Sequence, residues 1–213
     1  MKRSSNLILK WFVVIGVTLC LIPAAWAQEN TLDKNLKKVL ADPAAVRQAV
    51  EGAKRFNFFC ASCHGETGIS VKDDVPNLAG QNPSYLITQI DLFARGKRRY
   101  QFMQDSMKML SDTDKVNLTV FYAVNAVTPA GKQSSTVGKA LFAERCAICH
   151  QAEAHGTEVI PRLAGQHERY LEVSIKRYRD RSGERIYEPM SRMTAGLKDA
   201  EITALATYLS SLP

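Results

Sequence analysis

Two short stretches decide how this chain folds: Cys60-Ala61-Ser62-Cys63-His64 and Cys146-Ala147-Ile148-Cys149-His150. In each, two cysteines are separated by two residues and followed at once by a histidine. On a helix, side chains three or four positions apart lie on the same face, so the two sulfurs and the imidazole can face one bound group. The chain therefore carries the same cysteine and histidine pattern twice.

This C-x-x-C-H pattern is the attachment signature of c-type haem, in which two thiols bond the porphyrin and the histidine ligates the iron. A thioredoxin-like redox pair would stand alone near a βαβ pattern, and a structural zinc site would pool four ligands in one place. Neither alternative requires a histidine directly after the second cysteine. The sequence predicts two covalently attached haem c groups, held by Cys60, Cys63, Cys146 and Cys149, with His64 and His150 as iron ligands.

The similarity between the two halves extends well beyond the cysteines, at an offset of 85 to 87 residues. A nearly constant offset over this length indicates a tandem duplication. The matching segments are residues 52–56 and 138–142 (GAKRF, GKALF), 76–81 and 161–166 (PNLAGQ, PRLAGQ), 85–86 and 170–171 (both YL), 96–98 and 183–185 (GKR, GER), 110–112 and 197–199 (LSD, LKD), and Tyr122 and Tyr208.

The repeats define the predicted domains. Residues 46–127 form the first domain, 138–213 the second, and 128–137 (TPAGKQSSTV) a linker rich in turn-forming residues, while 28–45 form an N-terminal segment. A unit of about eighty residues buries little core and usually needs a metal or another staple. A haem at the centre of each domain would meet that need.

Residues 1–27 read as a secretory signal peptide, with a basic start, an apolar run from Trp11 to Leu21 and the cleavage signal Ala25-Trp26-Ala27. A retained membrane anchor is the alternative, but it needs about 20 apolar residues, and Pro23 interrupts the run too early. Export predicts a periplasmic protein. Cleavage removes three basic and no acidic side chains, so the formal charge falls from +7 to +4 and the case for nucleic-acid binding weakens.

The local patterns predict an all-α fold. Asp42-Pro43 is an N-cap followed by proline, and Asp112 and Asp199 stand just before runs with helical periodicity. A glycine in the first helix of each repeat and a tyrosine in the last predict a close helix crossing, because a missing Cβ lets a ring approach the backbone.

Methionine is the predicted second iron ligand in both repeats. Met103 lies seven residues before Leu110 and Met190 seven before Leu197, and these are the methionines that coincide between the repeats. A neutral thioether favours reduced iron and raises the potential. Methionines also fill core gaps, which suits Met107, Met109 and Met193. His167 is the alternative ligand for the second iron, although it corresponds to Asn82 and sits beside a turn sequence.

With these motifs together, residues 52–212 resemble the cytochrome c4 family, which consists of two-domain class I cytochromes c of the bacterial periplasm. The resemblance implies a tandem pair of all-α cytochrome c class I domains, each wrapped around one covalent haem c. It also implies His/Met coordination at both irons and electron transfer toward terminal oxidases.

By the same resemblance, the carbonyls of Pro76 and Pro161 accept hydrogen bonds from the proximal histidines and orient their rings. Arg98 and Arg185, at matching positions, are candidates to pair with haem propionates, against the alternative of two solvated surface arginines. Tyr85 and Tyr170 are similar candidates, against plain core packing. The basic stretch from Lys176 to Arg181 is denser than its counterpart and departs from the first repeat.

The predicted function is that of a periplasmic carrier of single electrons and not of an enzyme. Its expected partners are a membrane quinol-oxidising complex or a dehydrogenase as donor and a terminal oxidase as acceptor, with peripheral membrane association and no nucleic acid. One alternative is a two-haem subunit of a periplasmic dehydrogenase, such as a flavocytochrome sulfide dehydrogenase. Another is a two-haem peroxidase, against which a methionine in each repeat argues, since peroxidase chemistry needs an open iron site.

Overall fold

The computed structural model describes residues 31–183 and 187–213. Within these residues the chain forms ten α-helices and no β-strand. The helices are α1 (Thr31–Leu40), α2 (Pro43–His64), α3 (Pro83–Ala94), α4 (Gln101–Met109), α5 (Asp112–Val124), α6 (Thr136–Arg145), α7 (Ala147–His150), α8 (Glu168–Arg179), α9 (Glu188–Thr194) and α10 (Asp199–Ser210). The predicted signal peptide at 1–27 lies outside the described residues.

The helices pack in two groups that follow the repeat. In the first, α2 packs on α5, and α3 contacts both α4 and α5. In the second, α6 packs on α10, and α8 contacts both α9 and α10. One buried apolar cluster fills the second repeat and two fill the first. This arrangement confirms the all-α prediction.

The starts of the helices follow the predicted signals with one adjustment. Asp42 caps α2, its carboxylate accepting from the Ala44 N–H at 2.8 Å, with Pro43 as the first helical residue. Since α2 begins at Pro43, the predicted boundary between residues 45 and 46 falls inside a helix. Asp112 is the first residue of α5 and not its cap, because the Ser111 hydroxyl accepts from the Asp114 N–H at 3.2 Å.

The predicted close crossing occurs in the second repeat. A Cβ at Gly138 would lie 1.9 Å from the Ala204 carbonyl oxygen and 2.9 Å from the Tyr208 Cβ, so α6 and α10 pass too close for any side chain there. In the first repeat, a Cβ at Gly52 would meet the Asn117 side chain at 2.5 Å. At that crossing, the glycine faces an asparagine and not the predicted tyrosine.

Among the described residues, helix α1 has no counterpart in the second repeat. The side chains that α1 covers explain this difference. Leu36 is fully buried in a cluster with Ile87, Val116 and Val120 of α3 and α5. These three side chains form an apolar patch on the outside of the first repeat. Helix α1 covers this patch and removes it from water.

The equivalent patch in the second repeat is polar. When α5 and α10 are aligned on their first residues, Asp112 and Asp199, Val116 and Val120 match Thr203 and Thr207. Ile87, two residues after Tyr85, matches Glu172, two residues after Tyr170. The Thr203 hydroxyl donates to the Glu172 carboxylate at 2.6 Å, and Thr207 donates to Glu168 at 2.5 Å. Because these polar side chains are hydrogen-bonded to one another, this surface can face water and needs no covering helix. In the described part of the chain, no helix combines the length and the hydropathy needed to cross a membrane.

Candidate functional site

Both C-x-x-C-H stretches lie at the end of the first long helical segment of their repeat. His64 is the last residue of α2, which runs unbroken through the cysteines, whereas His150 ends the short α7 after a break at Cys146. The next residues, Gly65 and Gln151, turn the chain away with φ of 75° and 66°. A glutamine in this region is strained by about 1–3 kcal/mol, which indicates that the turn after the histidine is required.

The two histidines are oriented identically. His64 Nδ1 lies 3.0 Å from the Pro76 carbonyl oxygen, and His150 Nδ1 lies 3.0 Å from that of Pro161. A carbonyl oxygen only accepts, so Nδ1 carries the proton and the Nε2 lone pair of a neutral ring serves as a metal ligand. Both rings are buried. Burial lowers the pKa of His64, the Pro76 hydrogen bond opposes this, and the charge of Arg98 adds to it.

Within the described residues, Cys60, Cys63, Cys146 and Cys149 form no disulfide with one another. Burial raises the pKa of the Cys60 thiol, and it raises that of Cys146 to about 11. Redox-active pairs of the thioredoxin type have lowered thiol pKa values, so the environment here is of the opposite kind. Among the described residues, no three His, Cys, Asp or Glu side chains are grouped as metal ligands, so the two pairs do not pool into one zinc site.

The two matching methionines occupy the same place in their repeats. Met103 is the third residue of α4 and Met190 the third residue of α9, and both are half-buried. Met103 packs against the apolar cluster of the first repeat, as does Cys60. Met107 is buried within that cluster, which fits its interpretation as a core residue. By contrast, Met109 is 81% exposed.

The other predicted residues around the haems fall in different settings. Arg98 is half-buried, donates to the Gln89 side chain at 2.9 Å and stacks on the Phe93 ring at 4.5 Å from its centroid. Tyr85 and Tyr170 are half-buried near the starts of α3 and α8. Arg185 lies outside the described residues.

The two basic stretches differ in how their charge is compensated. In the second repeat, Lys176 and Arg179 both pair with Asp199, at 3.0 and 2.6 Å. Arg181 pairs with Glu188 at 2.8 Å. In the first repeat, Lys97 and Arg99, on either side of the half-buried Arg98, are exposed. The denser basic stretch is therefore largely neutralised by its own domain.

The loops that carry Pro76 and Pro161 meet across the two repeats. The side chain of Gln166 bonds the backbone of Asn77, and the side chain of Gln81 bonds the backbone of Arg162. Asn82 adds a bond from its amide nitrogen to the Ile160 carbonyl at 2.7 Å. This interface was not predicted from the sequence, although the glutamine repeated in PNLAGQ and PRLAGQ was a signal for it.

The residues present fit a covalent haem c in each repeat. Two free thiols and a histidine share one helix end, the histidine proton points to a carbonyl, and a thioether lies on a separate helix of the same repeat. This donor set of nitrogen and soft sulfur suits haem iron.

Comparison with known proteins agrees with this assignment. The sequence profile of the family "Cytochrome c" matches residues 49–119 and again 135–213. Cytochrome c4 of Pseudomonas aeruginosa is 30% identical over 167 residues, which cover 72% of this chain and 83% of the relative. The "Thiosulfate dehydrogenase electron acceptor" of Thiomonas intermedia is 32% identical over 174 residues, covering 72% of this chain and 78% of the relative. A solved cytochrome c4 of Acidithiobacillus ferrooxidans is 27% identical, with a TM-score of 0.65 over 72% of this chain and 98% of its own.

Proposed function

Because the chain belongs to the cytochrome c4 family, whose members carry two covalent haem c groups, we propose that it shuttles single electrons between redox proteins of the periplasm. It is an electron-transfer protein and not an enzyme. A membrane quinol-oxidising complex or a dehydrogenase would supply the electrons, and a terminal oxidase would accept them. The proposed domains are residues 46–127 and 138–213, joined by the linker at 128–137, except that α2 and α6 extend the start of the two domains to Pro43 and Thr136.

The observation that carries this proposal is the pair of equal histidine contacts. In each repeat, Nδ1 of the histidine donates at 3.0 Å to a proline carbonyl. Such a bond fixes the tautomer and the ring orientation of a ligating histidine and increases its basicity. Two sites built in the same way within one chain support two low-spin centres of similar chemistry.

The proposed residues have two roles: covalent attachment of each haem and coordination of its iron. Cys60, Cys63, Cys146 and Cys149 would bond the haems covalently, His64 and Met103 would ligate the iron of the first haem, and His150 and Met190 would ligate that of the second. Each haem, when bound, supplies iron that takes up or releases one electron. The chain's own residues hold the ligands in place in both states: the histidine through its proline, and the methionine through a helix that packs on the same repeat. A rigid, fully ligated site suits electron transfer and leaves no position for peroxide.

The acceptor would dock at the exposed basic residues of the first repeat. Lys97 and Arg99 project there, whereas the basic residues of the second repeat are paired with Asp199 and Glu188. Exposed, uncompensated charge is what steers a partner of opposite charge. Arg98, which is half-buried, is then the residue of this stretch that would pair with a haem propionate.

We expect Lys97→Glu to slow electron delivery to a purified terminal oxidase roughly tenfold at low salt, because steering depends on local charge. The effect should shrink as ionic strength rises past about 0.15 M, where exposed charges are screened. Both haem potentials should stay unchanged. Stopped-flow oxidation of the reduced protein measures the rate, with Lys139→Glu on α6 as the control of equal charge change. A shifted potential with salt-independent kinetics would assign the stretch to haem tuning.

The second candidate function is that of a dehydrogenase subunit. The relative from Thiomonas intermedia is named as the electron acceptor of a thiosulfate dehydrogenase, which favours a dehydrogenase as a direct partner. Affinity capture from periplasm with intact membranes separates the two proposals. A free carrier is recovered alone or with an oxidase, whereas a subunit is recovered in fixed ratio with a dehydrogenase. Hydrogen peroxide turnover by the purified protein would instead support the peroxidase.

A further inference from the structure

Two buried glutamines cross the interface between the repeats in opposite directions. Gln166 accepts from the Asn77 N–H at 2.8 Å and donates to the Asn77 carbonyl at 3.0 Å. Gln81 accepts from the Arg162 N–H at 2.7 Å and donates to the Arg162 carbonyl at 2.9 Å. Gln166 and Gln81 are only 6% and 7% exposed. In each direction, therefore, the side-chain amide of one glutamine bonds both the N–H and the carbonyl of a single backbone residue in the other repeat.

The backbone residues they select are the ones next to the histidine acceptors. Asn77 follows Pro76, so the Pro76 carbonyl and the Asn77 N–H are the two ends of one peptide group. That peptide accepts from His64 at one end and donates to Gln166 at the other. The same chain of bonds runs from His150 through the peptide after Pro161 to Gln81.

A peptide that donates from its N–H becomes a stronger acceptor at its carbonyl, because hydrogen bonds in series polarise one another. A stronger acceptor draws the Nδ1 proton further from the ring and makes Nε2 a better electron donor. A better donor stabilises oxidised iron relative to reduced iron.

We propose that Gln166 is a positioning residue for the haem of the first repeat and Gln81 for the haem of the second. Each repeat tunes the potential of the other through the peptide behind its proximal histidine. The inference rests on the proposed ligation by His64 and His150. It goes beyond it, because it assigns a role to residues of the opposite domain.

The interface offers a control that leaves this chain of bonds intact. Asn82 donates across the interface to the Ile160 carbonyl at 2.7 Å and the His155 carbonyl at 3.0 Å. Neither acceptor belongs to a peptide that bonds the ring Nδ1 of a proximal histidine. Asn82→Ala therefore weakens the contact between the repeats without touching the proposed path. The bond from the Asn77 amide to the Gly165 carbonyl, at 3.1 Å, helps to hold the repeats together when Gln166 is changed.

The test is Gln166→Leu in the two-haem protein, with two readouts. We expect the ratio of reduced to oxidised first haem at a fixed potential to rise about twofold, in line with a 10–30% weakening per bond. In the reduced, diamagnetic protein, the Nδ1 proton of His64 should move upfield in the NMR spectrum, while that of His150 stays in place. Gln81→Leu should produce the mirror result at the second haem.

Gln166→Glu restores an acceptor for the Asn77 N–H, and a carboxylate accepts more strongly than an amide, so the potential of the first haem should fall below that of the wild type. A fall below wild type also keeps the inference testable if the leucine substitution prevents folding. Three results would overturn the inference: both haem potentials shift together, only the potential of the haem in the repeat of the substituted glutamine shifts, or Asn82→Ala produces an equal shift. A wild-type protein that lacks histidine and methionine ligation would instead defeat the proposed function, so the two failures are distinguishable.

Discussion

The double substitution of Cys60 and Cys63 by alanine is expected to yield a protein that carries one haem, attached to Cys146 and Cys149. Each haem is bound through its own C-x-x-C-H stretch, so loss of one pair of thiols leaves the other unaffected. The haem absorbance per chain should fall to about half. The first repeat should also lose protection against proteolysis, since a unit of this size depends on its bound group for a core.

Mass spectrometry of the intact chain measures the haem number directly. The substitution of Cys146 and Cys149 should give the mirror result. Ser62→Ala, inside the first stretch but without a thiol, is the matched control and should keep both haems. Two haems on the variant without Cys60 and Cys63 would contradict the attachment assigned here.

Met103→Ala and Met190→Ala are each expected to remove about half of the weak near-infrared band that marks sulfur bound to oxidised haem iron. The potential of the affected haem should fall, because a thioether favours reduced iron and its loss removes that preference. Potentiometric titration monitored at two wavelengths follows both haems in one experiment.

The controls for these substitutions are neighbouring methionines of the same helices. Met107→Ala should destabilise the first repeat by about 2–5 kcal/mol, as expected for a buried side chain, and leave the band intact. Met193, 38% exposed, should tolerate alanine without effect on either property. If the near-infrared band disappears in Met107→Ala or Met193→Ala and persists in Met103→Ala or Met190→Ala, the assignment of the methionine ligands is wrong.

Features that depend on residues close in sequence were predictable. The C-x-x-C-H stretches and the Asp42-Pro43 cap each place their chemistry within a few consecutive residues, and each duplicated segment is a short run that can be matched directly in the sequence. The all-α fold follows from such local signals because helix formation is governed by contacts three and four residues apart.

Features that depend on which surfaces meet were not predicted. The covering helix α1 could have been inferred by comparing the apolar Ile87, Val116 and Val120 with their polar counterparts, but only the structure shows that they form one patch. The two glutamines are repeated in the sequence, but the residues that they contact could not be predicted, for a different reason. Gln81 and Gln166 bond to backbone atoms, which every residue carries, so their partners leave no mark in the sequence.

The basic stretch of the second repeat illustrates a third limit. In sequence it is denser in basic residues than its counterpart, yet Lys176 and Arg179 pair with Asp199, which is 20 or more positions away. Formal charge counts cannot distinguish a paired arginine from an exposed one. Only the fold shows which basic residues remain available to a partner.

We infer that one chain holds two haems, each of which exchanges one electron at a histidine and methionine site. Coulometric titration of the purified mature protein, with haem content measured on the same sample, is the decisive test. We expect two electrons per chain, two haems per chain and a near-infrared sulfur band that disappears as the second electron enters. One electron per chain, or two electrons without that band, would contradict it.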